Sequence, residues 1–242
     1  MVVVTMTSWP RRIGSVGRVV RSVMAGTVVP DRLYLNLSLK EFPEKEEGLP
    51  EDLVGYFGSD GRLAINWVPG ENTRSMKKVF PVLKYLGNDD IVMTADDDML
   101  FPKDLLECRL ADFESAGSEH PVSSSVKTSV GFHGRMKVVQ VTSLFRKRML
   151  ANWERFVTPA VMRTYNDDRT YLHLFWLNGY TNVACTRWTV SELLNDRSVN
   201  LMLPDGMGEN RVHLIGRNYD GVVMREMRRN VYDMFGYYRN GK

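Results

Sequence analysis

The residues best suited to chemistry are Asp96, Asp97 and Asp98, three consecutive carboxylates closing the apolar run Ile91-Val92-Met93-Thr94-Ala95. Adjacent carboxylates repel one another, and beside a strand bound for the interior they need a counter-charge. A hard divalent cation supplies one. Mg2+ and Mn2+ prefer oxygen ligands, take one or two carboxylates, and complete their shell with phosphate oxygens and water. In an exposed turn the same three residues would only cap the next helix. A second acidic pair, Asp167 and Asp168, stands about seventy residues downstream, just ahead of Tyr171-Leu172-His173-Leu174-Phe175-Trp176-Leu177. Such a pair suits a helix N-terminus, and it also suits a general base if it faces the first cluster across a ligand.

The elements that must hold these groups follow from hydrophobic spacing. Val2 to Thr5 reads as a buried strand, followed by the turn Ser8-Trp9-Pro10-Arg11-Arg12. Val16, Val19, Val20 and Val23 then share one helical face, with Ser15 as a candidate cap and Gly26 as a stop. Leu33 to Leu37 and Leu63 to Val68 read as strands, separated by a loop rich in Glu, Lys and Pro. Met76, Val79, Phe80, Leu83 and Leu86 predict a helix ending at Gly87, with Pro81 as a break in its first turns. After the strand that carries the aspartates, Pro102 opens a helix with Leu105, Leu106, Leu110 and Phe113 on one face and Gly117 at its end. This order is that of an α/β fold with a doubly wound, mostly parallel sheet flanked by helices.

Beyond residue 118 the pattern loosens. Val138 to Leu144 reads as a strand, Asp168 to Leu177 as a helix stopped by Gly179, Asn182 to Cys185 as a return to the sheet, and Asp220 onward as a final long helix through Val223, Met227, Val231 and Met234. There is no internal repeat, low-complexity segment or clear linker. The expectation is one domain over residues 1–242, with a nucleotide-binding front half over 1–117 and a more variable back half over 118–242.

Composition narrows the classes. With 242 residues the chain can bury a sizeable core, and a net charge of +3 favours anionic ligands locally while giving no reason to expect nucleic acid. Cys108 and Cys185 lie far apart and form no metal-ligand spacing, so free thiols in a reducing cytoplasm are the expectation. No segment has the length of a signal peptide or a membrane span. Asn36-Leu37-Ser38 matches a glycosylation sequon, which carries little weight in that setting. The run Arg146-Lys147-Arg148 and the stripe Arg225, Arg228, Arg229 suit a solvated face, with peripheral contact to anionic lipid as the alternative.

In open α/β sheets ligands bind beyond the carboxyl ends of the strands. The Thr7 to Arg12 turn and the aspartates both fall at such ends, so topology predicts that they are close. There is no G-x-x-x-x-G-K-[ST] loop and no G-x-G-x-x-G after a strand, which argues against a P-loop ATPase and a Rossmann dehydrogenase.

The opening V-V-V-T-M-T-S-W-P-R-R, then D-R-L-Y-L-N-L-S, M-K-K-V-F-P-V-L, I-V-M-T-A-D-D-D-M-L-F-P and N-D-D-R-T-Y, resemble small nucleotide-sugar-dependent glycosyltransferases of the GT-A fold, family 2-like, whose DXD motif falls here on Asp96-Asp97-Asp98. The resemblance is close over roughly residues 1 to 110 and looser beyond. It implies that Asp96 approaches the ribose or sugar of the donor and that Asp98 ligates a Mn2+ or Mg2+ ion bridging the diphosphate, with Asp97 between them. It also implies that Thr7, Pro10 and Arg12 frame the nucleotide and that Lys77 or Lys78 neighbours the base or diphosphate. His213 is a candidate late metal ligand, as against a structural histidine.

The implied reaction moves a sugar from a nucleoside diphosphate sugar, a UDP-sugar first, to a hydroxyl of a glycan acceptor. With inversion, Asp168 is the first candidate base and Asp167 the second. The glycine-rich acceptor segment of the family is represented weakly, around Gly131 to Gly134. A sugar-phosphate nucleotidyltransferase is the alternative enzyme, although Ser8 to Arg12 lacks the glycines its basic loop would carry. A sugar-nucleotide or glycan-binding module is the non-catalytic alternative.

Overall fold

The structure, a computed structural model, describes residues 1–131, 134–162 and 167–201. Among the described residues seven strands form one sheet, lying side by side in the chain order third, second, first, fourth, sixth, fifth, seventh. β1 (Val2–Thr7), β2 (Arg32–Ser38), β3 (Leu63–Val68) and β4 (Ile91–Ala95) run parallel, whereas β6 (Gly134–Arg146) pairs antiparallel with β4 and with β5 (Val122–Gly131). The two-residue β7 (Val183–Ala184) lies parallel to β5.

α1 (Ile13–Met24) shows why pattern outranks propensity. Valine is a poor helix former because its branched β-carbon restricts χ1. Here Val16, Val19, Val20 and Val23 are all buried, and burial of that stripe outweighs the small intrinsic cost. The helix begins at Ile13, so Ser15 sits inside it, and its Oγ donates to the Arg12 carbonyl instead of capping. α3 (Leu105–Ser115) and α6 (Asp167–Leu177) end as their glycines predict. Gly117 and Gly179 adopt φ of 72° and 83°. Ser118 N–H donates to Phe113 O and Tyr180 N–H to Phe175 O, which are the long bonds of Schellman terminations.

Three parts of the sequence reading change. The Glu-, Lys- and Pro-rich loop contains a 3-10 turn at Lys45–Gly48 and a helix, α2 (Glu51–Ser59), opened by Pro50. The stretch expected as one helix from Met76 is two 3-10 turns, Arg74–Lys78 and Phe80–Tyr85, because Pro81 cannot donate an internal helical bond. β5 was not anticipated, since its Ser- and Thr-rich sequence lacks the apolar alternation of a half-buried strand. Between β6 and α6 the chain makes a 3-10 turn at Lys147–Leu150 and two single-turn helices, α4 (Trp153–Phe156) and α5 (Pro159–Met162). α7 (Val190–Asn195) is opened by a Thr189–Glu192 capping box. The predicted C-terminal helix, with Arg225, Arg228 and Arg229, lies outside the described residues.

β1 is flanked by β2 on one side and β4 on the other. The chain leaves β1 in one direction through α1 to β2, and returns past β1 to reach β4. The crevice between the carboxyl ends of β1 and β4 is therefore the topological switch point, the place where such sheets bind ligands. Among the described residues no helix is long and apolar enough to cross a membrane. Cys108 and Cys185 are free thiols. Asn36 is fully buried in β2, which removes it as a glycosylation site.

Candidate functional site

The switch point brings Ser8 and Arg12 from the β1 exit onto the aspartates from the β4 exit. Asp97, 6% exposed, is the most enclosed of the three. Ser8 Oγ donates to Asp97 Oδ2 at 2.6 Å, and Arg12 Nη1 donates to Asp97 Oδ1 at 2.7 Å. The same Nη1 is 3.0 Å from Asp98 Oδ2. Burial alone would lower the Arg12 guanidinium, but Asp97, Asp98 and Asp96 outweigh it and raise it. Asp98 is held from behind, since Leu201 N–H donates to its carbonyl while Leu100 N–H donates to Val199 O.

Lys78 forms the other wall. Its Nζ is 2.6 Å from Asp96 Oδ1 and 2.9 Å from Asp167 Oδ2. The Asp167 contact is a close charge pair without hydrogen-bond alignment. Burial works against the Lys78 ammonium, and the carboxylates of Asp167, Asp96 and Asp168 more than compensate, holding it well above its usual value. Lys77 points elsewhere, to Glu41 Oε2 at 2.9 Å and Asn72 Oδ1 at 2.7 Å, and burial lowers its pKa against the pull of Glu41. Both lysines are buried and engaged with protein carboxylates.

Among the described residues charge is not balanced here. Asp96, Asp97, Asp98, Asp167 and Asp168 gather around Arg12 and Lys78, and the deficit falls on the two carboxyls without strong pairing. Asp98 is pushed up to about 7 by burial and by repulsion from Asp97 and Asp96, against the pull of Arg12. Asp168 is raised well above the usual range by burial and by Asp167. Among the described residues Asp168 forms no ion pair.

Among the described residues no group of three or more His, Cys, Asp or Glu side chains is arranged to enclose an ion. The donor set nevertheless fits a hard cation that uses one or two carboxylates and takes its other ligands from phosphate and water. Asp98, 23% exposed at its side chain and short of positive charge, is the best placed of the three, with Asp96 beside it.

Thr7 Oγ1 is committed to the Asn36 carbonyl, and Pro10 is exposed on the turn. His213 lies outside the described residues, as do the side chains around Gly131 to Gly134. The Arg146-Lys147-Arg148 run is spent on structure: Arg148 pairs with Asp89 and Glu119, Lys147 donates to Leu86 O, and Arg146 donates to Asp89 O.

Sequence reasoning missed three supporting polar groups. Ser8 anchors Asp97. Asn36 donates to Thr5 Oγ1 and Met6 O and accepts from Asn66, bracing the strands beneath the site. Arg109, fully buried on α3, donates to Ser124 Oγ, Thr142 Oγ1 and the carbonyls of Arg187 and Trp188. The readable signal was a polar residue inside an apolar pattern: Asn36 in Leu33-Tyr34-Leu35-Asn36-Leu37, and Arg109 four residues after Leu105.

No protein-family model matches the sequence, and no curated protein does. Solved structures match by shape. The mannosyltransferase PcManGT from Pyrobaculum calidifontis, in complex with GDP-Man and Mn2+, superposes with a TM-score of 0.53 at 15% identity, over 78% of this chain and 55% of that one. The fold is GT-A. TarS of S. aureus gives a TM-score of 0.50 at 12% identity, over 78% of this chain and 35% of its own. A Francisella tularensis 2-C-methyl-D-erythritol 4-phosphate cytidylyltransferase gives 0.48 at 11% identity, over 81% and 94%. This GT-A chain thus spans about half, or less, of the length of PcManGT and TarS, which it resembles in shape.

Proposed function

We propose that the protein is a metal-dependent glycosyltransferase that moves a sugar from a nucleoside diphosphate sugar to a hydroxyl of a glycan acceptor, with inversion at the anomeric carbon. The observation that carries this reading is the convergence of three parts at the GT-A switch point: the Ser8–Arg12 turn, the Asp96–Asp98 run, and the Asp167–Asp168 pair on the opposing α6. The resemblance of PcManGT, whose structure holds GDP-Man and Mn2+, supports the donor class and the metal. UDP-sugars are the first donors to test and GDP-sugars the second.

In this mechanism Asp98, with Asp96, holds a Mn2+ or Mg2+ ion, and His213 is a candidate third ligand. When bound, the ion offsets the negative charge that builds on the departing diphosphate. Asp97 does not face the donor; it fixes the β1 turn to the β4 exit so that Thr7, Pro10 and Arg12 frame the nucleotide. Asp168 takes the proton from the acceptor hydroxyl as its oxygen attacks the anomeric carbon. A carboxyl whose pKa is raised by burial and by a neighbouring carboxylate is a stronger base than an ordinary aspartate, which suits that step.

Purified protein, Mn2+ and a panel of sugar nucleotides test the reading. Acceptor-dependent release of nucleoside diphosphate supports transfer. Donor binding with no release under any acceptor supports the binding module and overturns the enzyme. Asp168→Asn should preserve donor affinity and lower turnover by about 100-fold or more; a near-normal rate would remove Asp168 as the base.

A further inference from the structure

Lys78 is the cation whose job the proposed chemistry leaves open. A lysine that contacts a diphosphate has to present its ammonium to the ligand, but this side chain is only 9% exposed and lies between Asp96 and Asp167, which are 31% and 8% exposed. Its main chain is equally committed, because Thr5 Oγ1 and Asn36 Nδ2 both donate to the Lys78 carbonyl. An ammonium has three donors. Turning them outward would strand two carboxylates, one of them deeply buried, without a counter-charge.

The geometry points to a different role. We propose that Lys78 is a positioning residue and not a donor ligand: its ammonium ties Asp96 at the end of β4 to Asp167 at the start of α6, and so sets where Asp168 stands across the cleft. Asp96 and Asp167 would otherwise repel, and the lysine turns that repulsion into an attachment between two elements distant in sequence. Successive side chains on a helix are about 100° apart, so fixing Asp167 against Lys78 fixes the rotation of the first turn of α6 and the direction of Asp168. One turn on, Tyr171 holds the same rotation through ring contacts with Phe80, 5.8 Å between centroids, and Phe145, 6.3 Å. This inference rests on Asp168 being the base.

The test uses the wild type, Asp167→Asn, Lys78→Met and the double variant Lys78→Met/Asp167→Asn. Lys78→Met alone leaves two uncompensated carboxylates and can fail to fold; the double variant removes one of them and serves as the folded comparison. UDP affinity in Mn2+ is measured by calorimetry, and kcat and KM are measured with the donor that the wild type turns over. If Lys78 is the tie, Asp167→Asn lowers kcat by about 10- to 100-fold with UDP affinity and donor KM within about threefold, because misplacing a catalytic group costs rate and not donor binding. The double variant should then match Asp167→Asn within about threefold, since a tie already cut cannot be cut again.

Two results overturn the tie: an unchanged kcat in Asp167→Asn, or UDP binding at least tenfold weaker in the double variant than in Asp167→Asn, which would make Lys78 a donor ligand. Absence of donor turnover by the wild type would instead sink the glycosyl-transfer reading. In that case urea unfolding of the same four proteins decides whether the tie exists, because coupled effects of the two substitutions, up to a Lys78→Met chain that folds only when Asp167→Asn is also present, support it and additive effects overturn it.

Discussion

Asp97 and Asp98 are neighbours of the same type with opposite relations to their surroundings. Asp97 is satisfied, with Ser8 and Arg12 each on one of its oxygens. Asp98 shares Arg12 and is left with a pKa near 7, the mark of a carboxylate whose ionised form is poorly stabilised. The two should therefore respond differently to truncation. Asp97→Ala removes one partner of a buried pair, taking the acceptor from Ser8 Oγ and the shorter of the two carboxylate contacts from Arg12, a loss of about 3 kcal/mol. Asp98→Ala removes a source of repulsion and should not lower the melting temperature, yet it should abolish Mn2+-dependent donor binding. Thermal unfolding beside calorimetric titration reads both effects. A stable Asp97→Ala, or undiminished Mn2+-dependent affinity in Asp98→Ala, would reverse the roles given to them.

At the scale of elements, α3 departs most from the pattern that revealed it. Its buried face holds Leu105, Leu106 and Phe113, but also Arg109 and Asp112. Asp112 accepts from Thr186 N–H and Oγ1, while Arg109 reaches the carbonyls of Arg187 and Trp188. These two polar residues fix the 186–188 segment, where Trp188 adopts a φ of 56°. Arg109→Met fills similar volume but takes the guanidinium donor from the Arg187 carbonyl and leaves the Trp188 carbonyl to the weak Cys185 thiol donor. It should cost about 2 kcal/mol, seen as a lower urea midpoint with an unchanged m-value, and hydrogen exchange should speed up around Thr186 to Thr189; unchanged exchange there would show that the segment holds without Arg109. The parallel strands, α1 and both glycine stops were legible because apolar spacing and φ requirements are local. α2, the broken turns around Pro81 and β5 were not, because their placement depends on what packs against them. The site divides the same way: the aspartates announce themselves by type and spacing, whereas the bond from Ser8 to Asp97 and the lysine between Asp96 and Asp167 exist only once the sheet brings distant strand ends together.

For the whole molecule, the unbalanced charge among the described residues at the switch point links stability to pH and, under the proposed function, to metal. Asp98 has a pKa of about 7 in the folded protein against 3.8 as its ordinary value. Where the folded state keeps a proton that the unfolded state has released, raising the pH favours unfolding. The Asp98 contribution is thus fully present below about pH 4 and is lost as pH rises through 7. The carboxylates whose pKa values are lowered, Asp60, Asp90, Glu192 and Asp196, act with the opposite sign, and their effect is complete before pH 5. In the presence of a chelator, the wild type should lose on the order of 2 kcal/mol between pH 5 and pH 7.5 through Asp98, allowing for its partial exposure, or about 5 °C in melting temperature. Asp98→Asn cannot ionise, so the difference between the two proteins isolates this group from everything else that titrates in the window. Mn2+ should reverse the loss at pH 7.5 and do little at pH 5, because a protonated carboxyl is a poor ligand and metal binding must displace that proton. Parallel melting curves for wild type and Asp98→Asn across the window would mean that Arg12 already neutralises the site, and the case for a cation at Asp98 would fall with them.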